Sequence, residues 1–225
     1  MPFIEYSGRK ILFIHVPRTG GTSVEDWMRL HAPLQLFCHG LPPSFKVTPQ
    51  HLTANDIRTI FTDEFFDYRF TIVRNPFTRI ESEYKMRYIM GKSAFFRGFA
   101  PYHTWLENAI GQASSTAWHL DNHLRPQWHF VSHRLRVFRF EDGLETIMRT
   151  VAAETGLRPP EHLPHKLSTS DFDGTITWDI REEGLVREFY EQDFERFGYA
   201  RTVSGHDSSG ERDGRVNSDH SRLAI

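Results

Sequence analysis

Residues 10–23 read KILFIHVPRTGGTS, and this stretch decides the fold. The apolar run 10–16 stops at Pro17, the pattern of a short buried strand. Thr19, Gly20 and Gly21 then break regular structure. Thr22 or Ser23 can cap a helix that continues through Val24, Trp27, Met28 and Leu30. A strand, a glycine-containing loop and a helix in this order predict the opening unit of an α/β sheet.

The same loop is built for an anion. Gly20 and Gly21 let the backbone approach a ligand closely. The helix that follows offers its unbonded N–H groups and the positive end of its dipole. Arg18 adds a charge, and Thr19, Thr22 and Ser23 add hydroxyl donors. Two other readings stay open for this segment alone. One is a plain Gly-Gly turn with a capped helix and a solvated arginine. The other is a loop for a nucleoside triphosphate. That loop requires Gly, four residues, then Gly-Lys-Ser/Thr, a spacing that 17–23 does not have. The next strand also ends in Arg74 and not in an acidic residue that could hold magnesium.

Working outward, 31–48 is rich in proline and reads as an irregular loop. Residues 55–61 predict a short helix, 68–73 (YRFTIV) a second buried strand, and 78–90 a long helix. A helix over 102–112, a strand over 135–140 and a helix over 144–154 follow. Pro159, Pro160 and Pro164 mark a loop. Val186, Phe189, Tyr190, Phe194 and Phe197 then recur at helical spacing and predict a last helix over 182–197. Strands alternating with helices predict a three-layer α/β domain, P-loop-like, with a central and mainly parallel sheet. One domain is expected over 1–201. The segment 202–225 is dense in Ser, Asp, Gly and Arg, and a disordered tail is expected there.

A second constellation lies at 70–84, FTIVRNPFTRIESEY. Arg74 falls at the carboxyl end of a strand, where α/β sheets bind ligands. Ser82 comes about two turns into the next helix and is expected to face back toward Arg74. A guanidinium beside a hydroxyl suits a dianionic phosphate. The alternative is an Asn-Pro turn with Arg74 in a salt bridge and Ser82 in solvent. Glu81, Glu83 and Tyr84 read as a solvated helix face.

Together the two segments resemble the two signatures of the PAPS-dependent sulfotransferases, where PAPS is 3′-phosphoadenosine 5′-phosphosulfate. PRTGGTS at 17–23 is similar to the 5′-phosphosulfate loop, usually Pro-Lys-Thr-Gly-Gly-Thr-Ser in the carbohydrate-sulfotransferase-like branch. RNPFTRIESEY at 74–84 is similar to the 3′-phosphate motif, with Arg74 and Ser82 at the family spacing. Arg18 stands where lysine is commoner, and Asn75 where aspartate is. HLTANDI at 51–57, NHLRPQ at 122–127, VFRFEDGLETI at 137–147 and YEQDFERFGY at 190–199 extend the likeness over roughly 8–200.

The resemblance implies an O-sulfotransferase that takes PAPS and releases 3′-phosphoadenosine 5′-phosphate. PAPS presents one transferring anionic group beside a single phosphate, so no metal is expected on charge grounds. The resemblance also implies a hydroxyl-bearing acceptor, a glycan or a small molecule. Arg18 is expected to stabilise the leaving 5′-phosphate, with the backbone and hydroxyls of Thr19, Gly20, Gly21, Thr22 and Ser23 around the phosphosulfate. Arg74 and Ser82 are expected on the 3′-phosphate, and 166–170 over the adenine. Sulfuryl transfer also needs a base with a pKa near working pH, which favours histidine. His51 is preferred, because its placement before the Arg74 motif resembles the catalytic histidine of uronosyl 2-O-sulfotransferases. His123 is the second candidate; it sits among Asp121, Arg125 and Gln127, a polar set suited to acceptor binding.

The chain's 13 histidines make the i, i+4 pairs His119/His123 and His129/His133 chance spacings more readily than metal sites. Phe65, Phe66, Phe95, Phe96 and Phe99 are expected in the core or a cleft wall. A net charge of -2 argues against a general polyanion binder, so no nucleic acid is expected. Cys38 is the only cysteine, which excludes an intrachain disulfide and fits a reducing compartment. No signal peptide or run of about 18 apolar residues is found, so a cytoplasmic protein without a membrane span is expected. Two functions compete with the sulfotransferase: a P-loop-type kinase or NTPase, and a non-catalytic nucleotide-binding module.

Overall fold

The computed structural model describes residues 1–38, 40–93, 100–161 and 171–203. Its sheet has four strands in the order β1 (Phe3–Tyr6), β2 (Arg9–Ile14), β3 (Tyr68–Val73) and β4 (Arg136–Arg139). β2, β3 and β4 are parallel, with Ile11 opposite Tyr68 and Phe70 opposite Arg136. β1 is an antiparallel edge strand joined to β2 through Ser7 and Gly8, both at positive φ. Such a pair makes the tight hairpin turn whose twist matches the strands. The sequence pattern missed β1, because it is only four residues long and FIEY, with Phe3 and Ile4 buried and Glu5 exposed, forms neither an apolar run nor an alternation.

Parallel strands need crossovers, and these bury both faces of the sheet. On one face Ile11, Phe13, Phe70 and Ile72 pack against α1 (Gly21–Arg29) and α5 (Leu144–Thr155) through Val24, Trp27, Met28, Met148 and Val151. On the other, Leu12 and Ile14 meet Leu52, Phe66, Phe130 and α2 (Ala54–Ile60). A third cluster joins α3 (Pro76–Ser93), α4 (Tyr102–Ser115), α6 (Ile180–Phe189) and α7 (Glu191–Phe197). Phe65 and Phe66 belong to the second cluster. Phe95, Phe96, Phe99, the stretch 166–170 and the tail beyond 203 lie outside the described residues.

Helix starts follow local chemistry. Thr53 accepts from the Asp56 N–H while Asp56 accepts from Thr53, a reciprocal cap for α2. Asn75 Oδ1 accepts from Phe77 N at 2.9 Å, so asparagine caps α3 as aspartate would. The single helix expected over 182–197 is two helices, broken at Tyr190, where φ is -107° and ψ is 23°. The break seats the Tyr190 hydroxyl on Leu124 O at 2.8 Å and buries Asp193 completely. Among the described residues no helix is long and apolar enough to cross a membrane.

Candidate active site

The two signature segments meet at the carboxyl ends of β2 and β3. The loop after β2 carries Arg18 in the left-handed region at φ 69°. From there its guanidinium reaches α3 and donates twice to Ser82 Oγ, from Nη2 at 2.9 Å and Nε at 3.2 Å. Ser82 therefore faces Arg18 rather than Arg74. Arg74 closes the arrangement from β3, donating from Nη1 to Arg18 O at 3.2 Å and from Nε to Thr78 Oγ1 at 3.0 Å. Its guanidinium lies 4.5 Å from the Phe140 ring centre. Burial lowers the pKa of Arg18 and brings that of Arg74 to about 10, which leaves Arg74 charged at neutral pH.

The two glycines have separate reasons. Gly20 is the N-cap of α1 at φ 81°, a conformation that costs other residues energy, and it brings no side chain to cap the helix. Gly21 makes room: a Cβ there would lie 2.0 Å from His15 Nε2. The backbone start of α1 thus stays open to an anion. Ser23 is buried beside it, with its N–H on Gly20 O at 3.0 Å. Thr22 is half-buried at the same turn. Thr19 takes a bracing part, since its fully buried hydroxyl donates to Val16 O at 2.7 Å.

The arginine between the signature residues, Arg79, is 2 % exposed. It donates to Pro17 O at 3.0 Å, His123 O at 2.7 Å and Arg125 O at 3.0 Å. It therefore fastens the loop after β2 to the 120–127 segment. Gln127 belongs to the same frame. Its side chain accepts from Arg74 N and donates to Arg74 O, both at 2.8 Å, and Asp193 holds Gln127 N at 2.8 Å. Gln127 is fully buried, so it positions Arg74 instead of meeting an acceptor as the sequence suggested.

Three histidines line up beside this frame, each with Nδ1 on its own carboxylate. His15 pairs with Glu25 at 2.7 Å, His51 with Asp121 at 2.7 Å and His123 with Glu83 at 2.8 Å. The rings pack edge to face, His15 to His51 at 5.0 Å and His51 to His123 at 4.8 Å. Both base candidates are thus brought together. An ionised carboxylate only accepts, so His51 Nδ1 carries the proton and Nε2 carries the lone pair. Burial pulls the His51 pKa from 6.5 to about 4, against the hydrogen bond to Asp121, which raises it.

Asp121 is held by strained backbone. Leu120, Asp121 and Asn122 have φ of 52°, 58° and 63°, three left-handed residues in a row, each worth on the order of 1–3 kcal/mol of strain. Hydrogen bonds fix them: Asp121 accepts from Thr48 N at 2.6 Å and Thr48 Oγ1 at 2.8 Å, and Asn122 Nδ2 donates to His51 O at 2.8 Å. Ligand atoms of His51, Asp121 and His123 lie within 4.8 Å of one another, close enough to share a metal ion. In this arrangement Asp121 Oδ2 and His51 Nδ1 are spent on each other. The i, i+4 pairs His119/His123 and His129/His133 fall outside α-helices.

Glu25, Glu83 and Arg79 were not picked out as functional from sequence, and Asp121 was named only as one of a polar set around His123. Glu83 and Tyr84 are buried, at 2 % and 5 % exposure, and do not form a solvated face. Glu81 accepts from Trp178 Nε1 at 2.7 Å. A signal existed only for Glu25, which lies four residues after Gly21 and so on the same side of α1.

The family model described as the sulfotransferase family matches residues 3–200. No curated protein and no solved structure matches the chain.

Proposed function

We propose that this chain, which belongs to the sulfotransferase family, moves a sulfuryl group from PAPS to a hydroxyl of a carbohydrate acceptor, on a P-loop-like α/β frame. The observation that carries the reading is the double hydrogen bond from Arg18 to Ser82, with Arg74 on the Arg18 carbonyl. It supports the reading by bringing residues of both signatures, Arg18, Ser82 and Arg74, together. The donor chemistry fits that cluster. An anionic group would meet the start of α1 and Arg18, and a phosphate would meet Arg74 and Ser82.

PAPS supplies the sulfuryl group, whose bond to the bridging phosphate oxygen breaks as a bond from sulfur to the acceptor oxygen forms. His51 Nε2 takes the acceptor proton, with Asp121 holding the ring and stabilising the imidazolium that results. Arg18 faces the charge that develops on the departing 5′-phosphate, and its two bonds to Ser82 keep it aimed. Positioning and electrostatics of this kind suffice for transfer of such a group. Metal-free binding of the donor is part of the proposal, because Arg18 and Arg74 already supply positive charge.

Two features support a sugar acceptor. The resemblance around His51 is to enzymes that act on uronosyl hydroxyls. Trp118, on the segment that carries Asp121 and His123, is 44 % exposed, with Lys46 Nζ 3.9 Å from its ring centre. Flat aromatic faces of this kind suit the C–H face of a pyranose ring, and the ammonium suits an acidic group on it. Incubating the protein with radiolabelled PAPS and panels of glycans, simple glycosides, phenols and alcohols tests the reading. Label in a glycan or glycoside is expected. Label only in phenols or alcohols would refute the carbohydrate assignment, and no transfer to any acceptor would refute the enzyme.

A further inference from the structure

Glu83 touches both halves of the site. Its side chain sits on α3 next to Ser82 and is 2 % exposed. Oε2 accepts from His123 Nδ1 at 2.8 Å and lies 3.9 Å from Arg18 Nε. Oε1 accepts from Arg87 Nε at 2.5 Å. A buried carboxylate is costly unless cations and donors surround it, and this one has three such partners. Glu83 is therefore an acceptor only, and the proton of a neutral His123 must sit on Nδ1. That leaves the His123 Nε2 lone pair for another partner, on a ring 4.8 Å from His51.

We propose that Glu83 is a positioning residue: its carboxylate fixes His123 so that a bare Nε2 stands beside the His51 base and accepts a hydrogen bond from a second donor group of the acceptor. The proposal rests on the sulfotransferase reading for the identity of that acceptor. Two imidazoles then divide the labour. His51 receives the proton of the attacked hydroxyl, and His123 sets the orientation in which that hydroxyl is presented. No neutral side chain of the same shape can replace the carboxylate. A glutamine has one oxygen for two donors, His123 Nδ1–H and Arg87 Nε–H, so its NH₂ must face one of them. Arg18 is less exposed to the change, since Ser82 holds it by two bonds.

The first test needs no activity. Long-range ¹⁵N–¹H correlation spectra of the wild-type protein report which ring nitrogen of each histidine carries the proton. His123 is expected with the proton on Nδ1, as are His15 and His51, which serve as internal standards. A proton on Nε2 of His123 would overturn the proposal. The second test uses Glu83→Gln with PAPS and methyl β-glucuronide as the probe acceptor. The acceptor KM is expected to rise about tenfold, the worth of one good hydrogen bond. Affinity for 3′-phosphoadenosine 5′-phosphate should stay within threefold, and unchanged His15 and His51 signals would show that the fold is kept. In a His123→Ala background the same substitution should leave the acceptor KM unchanged. An undiminished effect in that background, or no effect in the wild type, would overturn the positioning role. Failure of the wild type to transfer at all would instead refute the sulfotransferase reading, while the nitrogen spectra would still decide where Glu83 holds the His123 proton.

Discussion

Replacing His51 by alanine removes the atom assigned to receive the acceptor proton. General-base catalysis is worth roughly 10²–10⁴ in rate, so kcat should fall by that factor, about 3–5 kcal/mol of barrier. The structure adds a pH signature. The neutral ring is the active form, and burial brings its pKa to about 4. The acidic limb of kcat/KM, which reports the free protein, should therefore lie near 4 and not near 6.5. With the anionic donor bound, the imidazolium is favoured, so the limb of kcat should sit higher. Stability is linked to the same group. A histidine whose folded pKa is depressed favours folding above its unfolded pKa, and that contribution is lost as pH falls from 6.5 toward 4. Between pH 7 and pH 4.5 this corresponds to about 2.5 kcal/mol, to be read from urea denaturation at those two values. His51→Ala should lose that slope along with the acidic limb. Steady-state kinetics with saturating PAPS decide the matter. A variant within tenfold of wild-type kcat, with His123→Ala far more damaging, would refute the assignment of the base.

Arg74→Ala should weaken binding of 3′-phosphoadenosine 5′-phosphate by about 1.5–3 kcal/mol, the usual worth of a hydrogen bond to a charged group, with little change of kcat at saturating donor. Unchanged affinity in calorimetry would remove Arg74 from the phosphate site. Gly21→Ala should destabilise the fold by about 1–3 kcal/mol, because its Cβ would lie 2.0 Å from His15 Nε2 and push that ring off Glu25. A denaturation midpoint equal to that of the wild type would show that the loop and His15 have more room than the structure gives them.

The parallel part of the fold was legible because its two central strands end in buried, mostly apolar stretches: 68–73 is β3 to the residue, and 10–16 contains most of β2. Crossover helices cover both faces of such strands, which favours apolar residues along them. The hairpin strand β1 was not legible, because it is four residues long, lacks strict alternation and sits at an edge. The break at Tyr190 was hidden for a different reason. The spacing of Val186, Phe189, Tyr190 and Phe194 fits one helix, and only the seat of Asp193 against Gln127 and Trp128 N shows what the kink achieves. In the site, Arg18, Ser82, Arg74 and the glycines could be named because motif spacing encodes them. The carboxylates behind the histidines could not. Asp121 lies 70 residues from His51 and Glu83 lies 40 from His123, and only the tertiary fold brings such pairs together. Arg79 illustrates the same point: its three carbonyl partners belong to two distant loops.

The donor cradle is the centre of the account, and titration calorimetry of the wild-type protein with 3′-phosphoadenosine 5′-phosphate in EDTA tests it most directly. Saturable one-to-one binding without metal is predicted, with affinity falling when Arg18, Arg74 or Ser82 is replaced by alanine and barely moving when His51 is. A strict requirement for magnesium, or binding indifferent to all three of those residues, would contradict it.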